Sequence, residues 1–276
     1  MSRKIFLTDN GSLRPAATLN LRRVARLLSG KTGHRVEPVS LLHSSKVSPD
    51  KLDGIPAQTV GPTIREAASQ GITDFVILPF FFGPSRAISD YLPRRVGQMR
   101  EEIPDLRVRV AKPLVDLESP TDLRIARILR DQLMACSPKE GPASVILVDH
   151  GSPEPAVTAI RNVLAGQLSV LLDNSVRVVP AAMERRDGSE YDFAGPLLED
   201  LLGRTDTWPM PVTLSMLFLS PGRHAGPDGD VAAICRAAEE RHPGLSTVMS
   251  GLVGEHDAVV DVLADRLEKV LAGSAR

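Results

Sequence analysis

Short apolar runs alternate with stretches of helical periodicity along the chain. The runs Ile5 to Thr8 and Val145 to Val148 have the length and the β-branched character of buried strands. Each leads into a Gly-Ser turn and then into apolar positions spaced as on one face of a helix. This alternation predicts parallel sheets covered by helices on both faces. Further strands are predicted at Val36 to Leu42, Phe75 to Phe82, Val108 to Ala111, Val176 to Ala182, Val212 to Leu219 and Ser246 to Met249.

The same sequence pattern occurs twice. The segment IFLTDNGSLRPAATLNLRRVA, from Ile5 to Ala25, corresponds to VILVDHGSPEPAVTAIRNVLA, from Val145 to Ala165. The segment LPFFFGPSRA, from Leu78 to Ala87, likewise corresponds to SMLFLSPGRH, from Ser215 to His224. A repeat of this length predicts a tandem α/β protein whose two lobes each contain a sheet of about four strands.

The boundary between the predicted lobes lies near Gly141. Helical periodicity lapses in ACSPKEGPA, from Ala135 to Ala143, where two prolines and a glycine cluster. A chain of 276 residues is long enough for two domains, each with its own core. We therefore predict a first lobe over residues 1–138 and a second lobe over residues 143–276.

Composition and charge exclude several classes of partner. The formal net charge of -1, with 42% apolar and 24% charged residues, predicts neither a nucleic-acid partner nor a membrane surface. Only Cys136 and Cys235 are present, without a CxxC motif, which argues against a structural zinc site or a disulfide framework. No apolar h-region or bilayer-length apolar run is found. These features predict a cytoplasmic protein.

The two copies of the repeat differ at two histidines. Asn10 stands where the second copy has His150, and Ala87 stands where the second copy has His224. The first copy thus lacks both of these potential metal or proton ligands, at matching places. We therefore predict that the chemistry lies in the second lobe.

The chemistry of the second lobe is predicted from the ends of its strands. His150 directly follows a predicted strand, and His224 follows another after a Ser-Pro-Gly turn. Open parallel sheets bind ligands at the carboxyl ends of their strands. Imidazole holds iron, cobalt or nickel and moves protons near neutral pH. Glu184, after the strand-like VRVVPAAM, adds a carboxylate that could accept protons or complete a metal shell. We predict that these three residues are catalytic and bind metal.

Four neighbouring residues are predicted to bind the substrate. Ser152 is expected to cap the helix that follows His150, and the exposed amide groups there favour an anionic ligand. Arg223, Arg185 and Arg186 flank the three predicted catalytic residues. Guanidinium groups pair bidentately with carboxylates, so these arginines suit a substrate that carries several carboxylates.

Several common motifs are missing from the sequence. No GxGxxG follows either first strand, no P-loop motif occurs and no GxSxG elbow is present. Dinucleotide-binding, P-loop and α/β-hydrolase functions therefore lack support, and we expect no nucleotide cofactor. A catalytic triad built on Ser152 would need a base held by a third group, and the spacing suggests none.

The motifs resemble those of one family. VDHGSPEP, from Val148 to Pro155, and FLSPGRHAGPDGD, from Phe218 to Asp230, resemble the two signature segments of the sirohydrochlorin chelatases, class II chelatases of the CbiX/SirB type. LVGEHDAVVDVLADRL, from Leu252 to Leu267, is similar to the segment with which domains of that family end. The first half resembles a degenerate second copy of the same domain.

This resemblance implies a fold, a reaction and a site. It implies two flavodoxin-like or Rossmann-like lobes that face each other across a cleft holding a tetrapyrrole such as sirohydrochlorin. A divalent metal, which is iron, cobalt or nickel, is the substrate that such a lyase inserts without ATP. By the same resemblance His150 and His224 are the paired catalytic and metal-binding histidines, and Glu184 is the acidic residue that accompanies them. The metal, and hence siroheme or cobalamin biosynthesis as the pathway, stays open.

Two other functions remain open at this stage. A non-catalytic tetrapyrrole or metal carrier would keep the fold and bind substrate and metal without forming product. A flavodoxin-like nucleotide-binding module would leave the histidine pair unexplained. The internal duplication favours a monomer with an internal pseudo-twofold axis, and a dimer is the alternative.

Overall fold

The computed structural model describes residues 2–137, 141–173, 175–204 and 208–273. It contains two four-stranded sheets, with strand orders β2-β1-β3-β4 and β6-β5-β7-β8, and every strand pair in them is parallel. The α/β class and the parallel sheets predicted from the sequence are confirmed. The strands are β1 (Arg3–Thr8), β2 (Val36–Pro38), β3 (Asp74–Pro79), β4 (Arg107–Val110), β5 (Ser144–Asp149), β6 (Arg177–Ala182), β7 (Val212–Met216) and β8 (Thr247–Met249).

Helices connect the consecutive strands of each sheet. No described helix is long and apolar enough to cross a membrane. The α-helices are α1 (Pro15–Thr32), α2 (Val60–Ser69), α3 (Leu92–Glu102), α4 (Arg124–Cys136), α5 (Pro155–Leu171), α6 (Leu198–Leu202), α7 (Asp230–Arg241) and α8 (Val259–Ala272). Single-turn or short helices occur at Ser44–Lys46, Pro49–Lys51, Ala87–Tyr91, Ser189–Ala194 and Val253–Glu255.

All eight predicted strands are present, but three of them end three or four residues earlier than predicted. β2, β3 and β7 end at Pro38, Pro79 and Met216, whereas the apolar runs continue for three or four residues beyond. The extra residues include Phe80 and Leu217, which are buried in the connections after the strands. An apolar run indicates that residues are buried but not which backbone conformation they adopt. A buried connection that follows a strand is therefore predicted as part of the strand.

The central strands of both sheets are covered on both faces. Every residue of β5 and β7 is buried, as are the last residues of β1 and β3. Phe6 of β1 packs against Phe75 of β3 with ring centroids 5.5 Å apart. Burial on both faces explains why these strands are continuous apolar runs rather than alternating ones.

The chain forms two compact units. One comprises the described residues of Met1–Asp116 and Val260–Arg276, and the other comprises those of Leu117–Val259. The first unit contains the sheet β2-β1-β3-β4 and the second contains the sheet β6-β5-β7-β8. The three predicted catalytic residues all belong to the second unit.

The units differ from the predicted halves 1–138 and 143–276 because the last helix of each half lies in the other unit. Gln132 of α4 donates its Nε2 hydrogen to the backbone oxygen of Leu252, 3.2 Å away, within the second unit. Arg266 of α8 donates to the backbone oxygens of Pro113 and Leu114 at 3.0 and 3.1 Å, within the first unit. Periodicity shows that a helix has an apolar face, but not which sheet covers that face. Residues 138–140 of the predicted linker lie outside the described residues.

Candidate active site

The structure brings the two predicted histidines together. His150 follows β5, His224 lies in the connection between β7 and α7, and their ring centroids are 4.4 Å apart with an interplanar angle of 75°. Their side chains are 45% and 29% exposed. Both imidazoles are therefore within reach of a bound substrate at the carboxyl edge of the sheet.

The turn at His150 depends on a glycine. Gly151 has a φ of +90°, and a Cβ atom there would lie 2.0 Å from the backbone oxygen of Glu184. The amide of Glu184 in turn donates a hydrogen bond to the backbone oxygen of His150, at 3.1 Å. The His-Gly sequence thus lets two neighbouring strands end in direct backbone contact, which places His150 beside Glu184.

Glu184 contacts His150 through its side chain as well. Its Oε1 atom lies 3.2 Å from Nε2 of His150, while Nδ1 of His150 lies 3.0 Å from the backbone oxygen of Gly151. Both ring nitrogens therefore face oxygen acceptors, and a proton between Nε2 and Oε1 satisfies them all. The imidazole and the carboxylate therefore share one hydrogen bond at their exposed edge.

The orientation of His224 is set by a carboxylate that the sequence analysis missed. Nδ1 of His224 lies 2.7 Å from Oδ2 of Asp230, the first residue of α7. An ionised carboxylate only accepts hydrogen bonds, so Nδ1 carries the hydrogen and Nε2 of the neutral ring keeps its lone pair. Asp230 could have been predicted because it is an acidic residue at a helix start, at the end of the segment FLSPGRHAGPDGD.

Among the described residues, no three or more His, Cys, Asp or Glu side chains form a group arranged to hold a metal ion. The structure instead pairs His150 with Glu184 and with His224. The three-residue metal set predicted from the sequence stays a prediction. Cys136 and Cys235 are free, and burial raises the pKa of both thiols, that of Cys235 to about 11, which disfavours the metal-binding thiolate.

Ser152 does not cap the helix, so that expectation was wrong. The N-cap of α5 is Glu154, and no side chain caps it. Oγ of Ser152 instead accepts a hydrogen bond from the Glu154 amide at 3.1 Å and closes the turn before the helix. Pro155, the first residue of α5, favours the helix start because its φ is fixed near the helical value and the N–H it lacks would have no partner within the helix. Substrate binding by Ser152 stays a prediction.

The three predicted arginines lie on the segments that carry Glu184 and His224. Arg185 pairs with Asp192 at 3.1 Å, and the guanidinium of Arg186 lies 5.8 Å from the centre of the Tyr191 ring. Arg223 is 75% exposed, and its Nε atom lies 3.5 Å from Oδ2 of Asp230. Their role toward the substrate stays a prediction.

A buried ion pair lies beneath His150. Nη1 of Arg161 is 2.9 Å from Oδ1 of Asp149, and the two side chains are 1% and 10% exposed. Burial raises the pKa of the Asp149 carboxyl, and the charge of Arg161 opposes this effect. The sequence analysis missed this pair too. Its signal is a charged residue on the buried face of α5, next to Ile160 and near Leu164.

The first unit repeats the backbone of the site without its side chains. The amide of Leu42 donates to the backbone oxygen of Asn10 at 3.1 Å, as the amide of Glu184 does to His150. Leu42 therefore stands in the place of Glu184. Asn10, Leu42 and Ala87 thus replace His150, Glu184 and His224, and the first unit has none of the three predicted metal ligands.

Comparison with known families identifies the chain. The sequence model of the CbiX family matches residues 4–131 and again residues 144–270. The chain therefore belongs to the CbiX family and contains one copy of the family domain in each half. The resemblance to chelatases of the CbiX/SirB type is confirmed.

Solved structures with the same fold cover nearly the whole chain. SirB from Bacillus subtilis with Fe3+ has a TM-score of 0.73 at 16% identity, over 100% of this chain and 98% of that one. The sirohydrochlorin chelatase SirB from Bacillus subtilis subspecies spizizenii in complex with cobalt has a TM-score of 0.68 at 15% identity, over 98% and 95%. DR2241 from Deinococcus radiodurans, a multi-domain protein with structural similarity to chelatases, has a TM-score of 0.62 at 19% identity, over 96% and 54%. The search of curated proteins finds no match.

Proposed function

We propose that the protein is a metal chelatase, a lyase that inserts a divalent metal, iron or cobalt, into sirohydrochlorin or a related tetrapyrrole without ATP. The observation that carries this proposal is the cluster of His150, His224 and Glu184, in which the two rings are 4.4 Å apart and Nε2 of His150 lies 3.2 Å from Oε1 of Glu184. Membership of the CbiX family supports it, as do the similar SirB structures with Fe3+ and with cobalt.

Metal insertion needs a proton acceptor close to the macrocycle. Two pyrrole protons leave as the metal enters, so a base must stand over one face of the ring. His150 and Glu184 share a site for one proton at their exposed edge. Nε2 of His224 has a free lone pair in the neutral ring, because Asp230 holds the hydrogen on Nδ1. The cluster can therefore take up the protons that insertion releases.

The substrate metal would approach the same nitrogens. Imidazole nitrogen and carboxylate oxygen suit iron, cobalt and nickel, and these ligand types do not choose among the three metals. We infer that Nε2 of His224, with Nε2 of His150 and Oε1 of Glu184, binds the metal before it enters the macrocycle. Supply in the cell then decides between siroheme and cobalamin biosynthesis as the pathway.

The arginines would bind the acidic edge of the tetrapyrrole. Arg185 and Arg186 lie in the loop that begins with Glu184, and Arg223 precedes His224. Guanidinium groups pair well with the carboxylates that such a macrocycle carries. We propose that they exchange their present partners, such as Asp192, for substrate carboxylates. Two free cysteines agree with a reducing, cytoplasmic location.

The test is metal insertion into sirohydrochlorin, followed by the change in its absorption spectrum with Fe2+, Co2+ or Ni2+ in competition. We expect insertion by the wild type and its loss in His150→Ala and His224→Ala. His34→Ala is the matched control, because His34 is exposed and lies in the first unit. Unchanged rates in both active-site variants would overturn the assignment. Binding of substrate and metal without product by the wild type would identify a carrier instead.

A further inference from the structure

We propose that Arg161 is a positioning residue that holds the His150 turn and the loop carrying Glu184 in one fixed arrangement. This inference rests on the proposed chelatase function, which it deepens. Arg161 contacts neither the histidines nor Glu184 in the described hydrogen bonds. It acts through Asp149 on one side and through Ala194 on the other.

The first contact restrains the turn at His150. Nη1 of Arg161 donates to Oδ1 of Asp149 at 2.9 Å, and the same oxygen accepts the Gly151 amide at 3.1 Å. Asp149 and Gly151 are the two residues that flank His150. The carboxylate therefore bridges the turn, and Arg161 holds the carboxylate.

The second contact restrains the loop that follows β6. Nη2 of Arg161 donates to the backbone oxygen of Ala194, at the end of the short helix Ser189–Ala194. The loop begins after Ala182, whose amide bonds to the backbone oxygen of Pro196 at 3.0 Å. Glu184 lies at the beginning of this loop. One planar guanidinium thus joins the end of the Glu184 loop to the His150 turn, and its rigid fork suits this task better than an ammonium group would.

The first unit shows that the fold itself does not need this arginine. It keeps the carboxylate, as Asp9, but has Leu21 in the place of Arg161. The backbone bonds around it are retained, since the amides of Leu41 and Leu42 donate to the backbone oxygens of Asp9 and Asn10 at 2.8 and 3.1 Å. An arginine that bonds to this carboxylate therefore accompanies His150, Glu184 and His224 in the second unit. In the first unit Arg22 of α1 bonds to the backbone of the corresponding loop instead.

Energetics point the same way. A buried ion pair contributes little net stability, because the desolvation of both charges offsets their attraction. Its geometry is nevertheless well defined, since both side chains are buried and Arg161 has acceptors in two different segments. Positioning accounts for a buried charge at this place in α5, whereas Leu21 stands at the matching place in α1.

The test compares Arg161→Leu, the residue of the first unit, with Arg161→Lys and a matched control. The control is Arg22→Leu, because Arg22 ties the corresponding loop of the first unit through the backbone oxygens of Leu52 and Ile55 at 2.8 and 2.7 Å. We expect Arg161→Leu to lower kcat about 10- to 100-fold, as loss of a group that orients metal ligands does, with KM nearly unchanged. Arg161→Lys should recover part of the loss, and Arg22→Leu should retain wild-type kcat.

Two further readouts separate positioning from folding and from the proposed function. Guanidinium ion below denaturing concentration should restore activity to Arg161→Ala by filling the vacated site. Amide hydrogen exchange should accelerate at Gly151 and Glu184 in Arg161→Leu and not in Arg22→Leu. Failure of the wild type to insert metal would overturn the chelatase function alone, because hydrogen exchange still tests the positioning. Wild-type kcat in Arg161→Leu, or unchanged exchange at Gly151 and Glu184, would overturn the inference.

Discussion

Nδ1 of His224 lies 2.7 Å from Oδ2 of Asp230, and this single contact sets which ring nitrogen of His224 is available to a substrate. The contact is local, because Asp230 begins α7 and its amide bonds back to the backbone oxygen of Arg223 at 3.0 Å. The amide of Val231 bonds in the same way to the backbone oxygen of His224, at 3.2 Å. The helix start and the imidazole therefore form one rigid element.

Loss of the Asp230 carboxylate should impair the site more than the fold. We expect Asp230→Ala to lower kcat for metal insertion about 10- to 100-fold, because the ring of His224 loses the partner that orients it. Asp230→Asn keeps an acceptor oxygen and should fall between this variant and the wild type. Asp228→Ala is the control, since Asp228 is exposed on the same loop. Equal activity of Asp230→Ala and Asp228→Ala would contradict the role of Asp230.

Glycine substitutions at matching places should separate strain from function. A Cβ atom would lie 2.0 Å from the Glu184 backbone oxygen at Gly151, and 1.7 Å from the Leu42 backbone oxygen at Gly11, and both glycines have a positive φ. We expect Gly151→Ala and Gly11→Ala each to reduce the free energy of unfolding by about 1–3 kcal/mol or more. Only Gly151→Ala displaces Glu184, so only it should abolish metal insertion. Thermal unfolding and insertion rates measure the two effects, and inactivity of a folded Gly11→Ala would contradict the assignment of the site to the second unit.

Asp9 should reduce stability at neutral pH. Burial raises the pKa of its carboxyl above the ordinary 3.8, a hydrogen bond with Ser40 opposes the shift, and its Oδ1 atom has no hydrogen-bond partner among the described residues. The folded state thus binds the proton more tightly than the unfolded state. Stability is highest below the unfolded pKa and falls as pH rises from there through the folded pKa.

The corresponding variant is Asp9→Asn, which removes the buried charge. It should unfold at a higher denaturant concentration than the wild type at pH 7. The difference should shrink as pH falls through the folded pKa of Asp9 and be lost below the unfolded pKa of about 4, where Asp9 is protonated in both states. Denaturant unfolding at several pH values measures this. A difference that stays constant between pH 3 and pH 7 would show that the charge of Asp9 is not its cause.

The residues that replace the histidines should affect activity little. Asn10→Ala and Ala87→Gly are expected to change the KM for the tetrapyrrole modestly and to retain kcat, whereas His150→Ala and His224→Ala should lose turnover. The physical reason is that neither an amide nor a methyl group accepts a pyrrole proton. Steady-state kinetics on all four variants measure the asymmetry, and equal losses at both pairs would contradict it.

Much of the candidate site follows from local sequence. The apolar runs before His150 and near Glu184 and His224 place all three at the carboxyl ends of strands, and parallel pairing brings such ends to one edge of a sheet. The absence of both histidines from the first copy predicts that the site lies in the second lobe. These inferences are possible because strand periodicity and duplication are properties of consecutive residues.

By itself, the sequence determined the two parallel sheets and the repeat, and it predicted the three residues of the candidate site. Only the tertiary structure decided that α4 packs in the second unit and α8 in the first, that Arg161 pairs with Asp149 and that Asp230 orients His224. Each of these depends on which buried faces and polar atoms meet in space. Periodicity shows that a helix face is buried but does not show which element packs against it, because several elements of a chain have similar apolar faces.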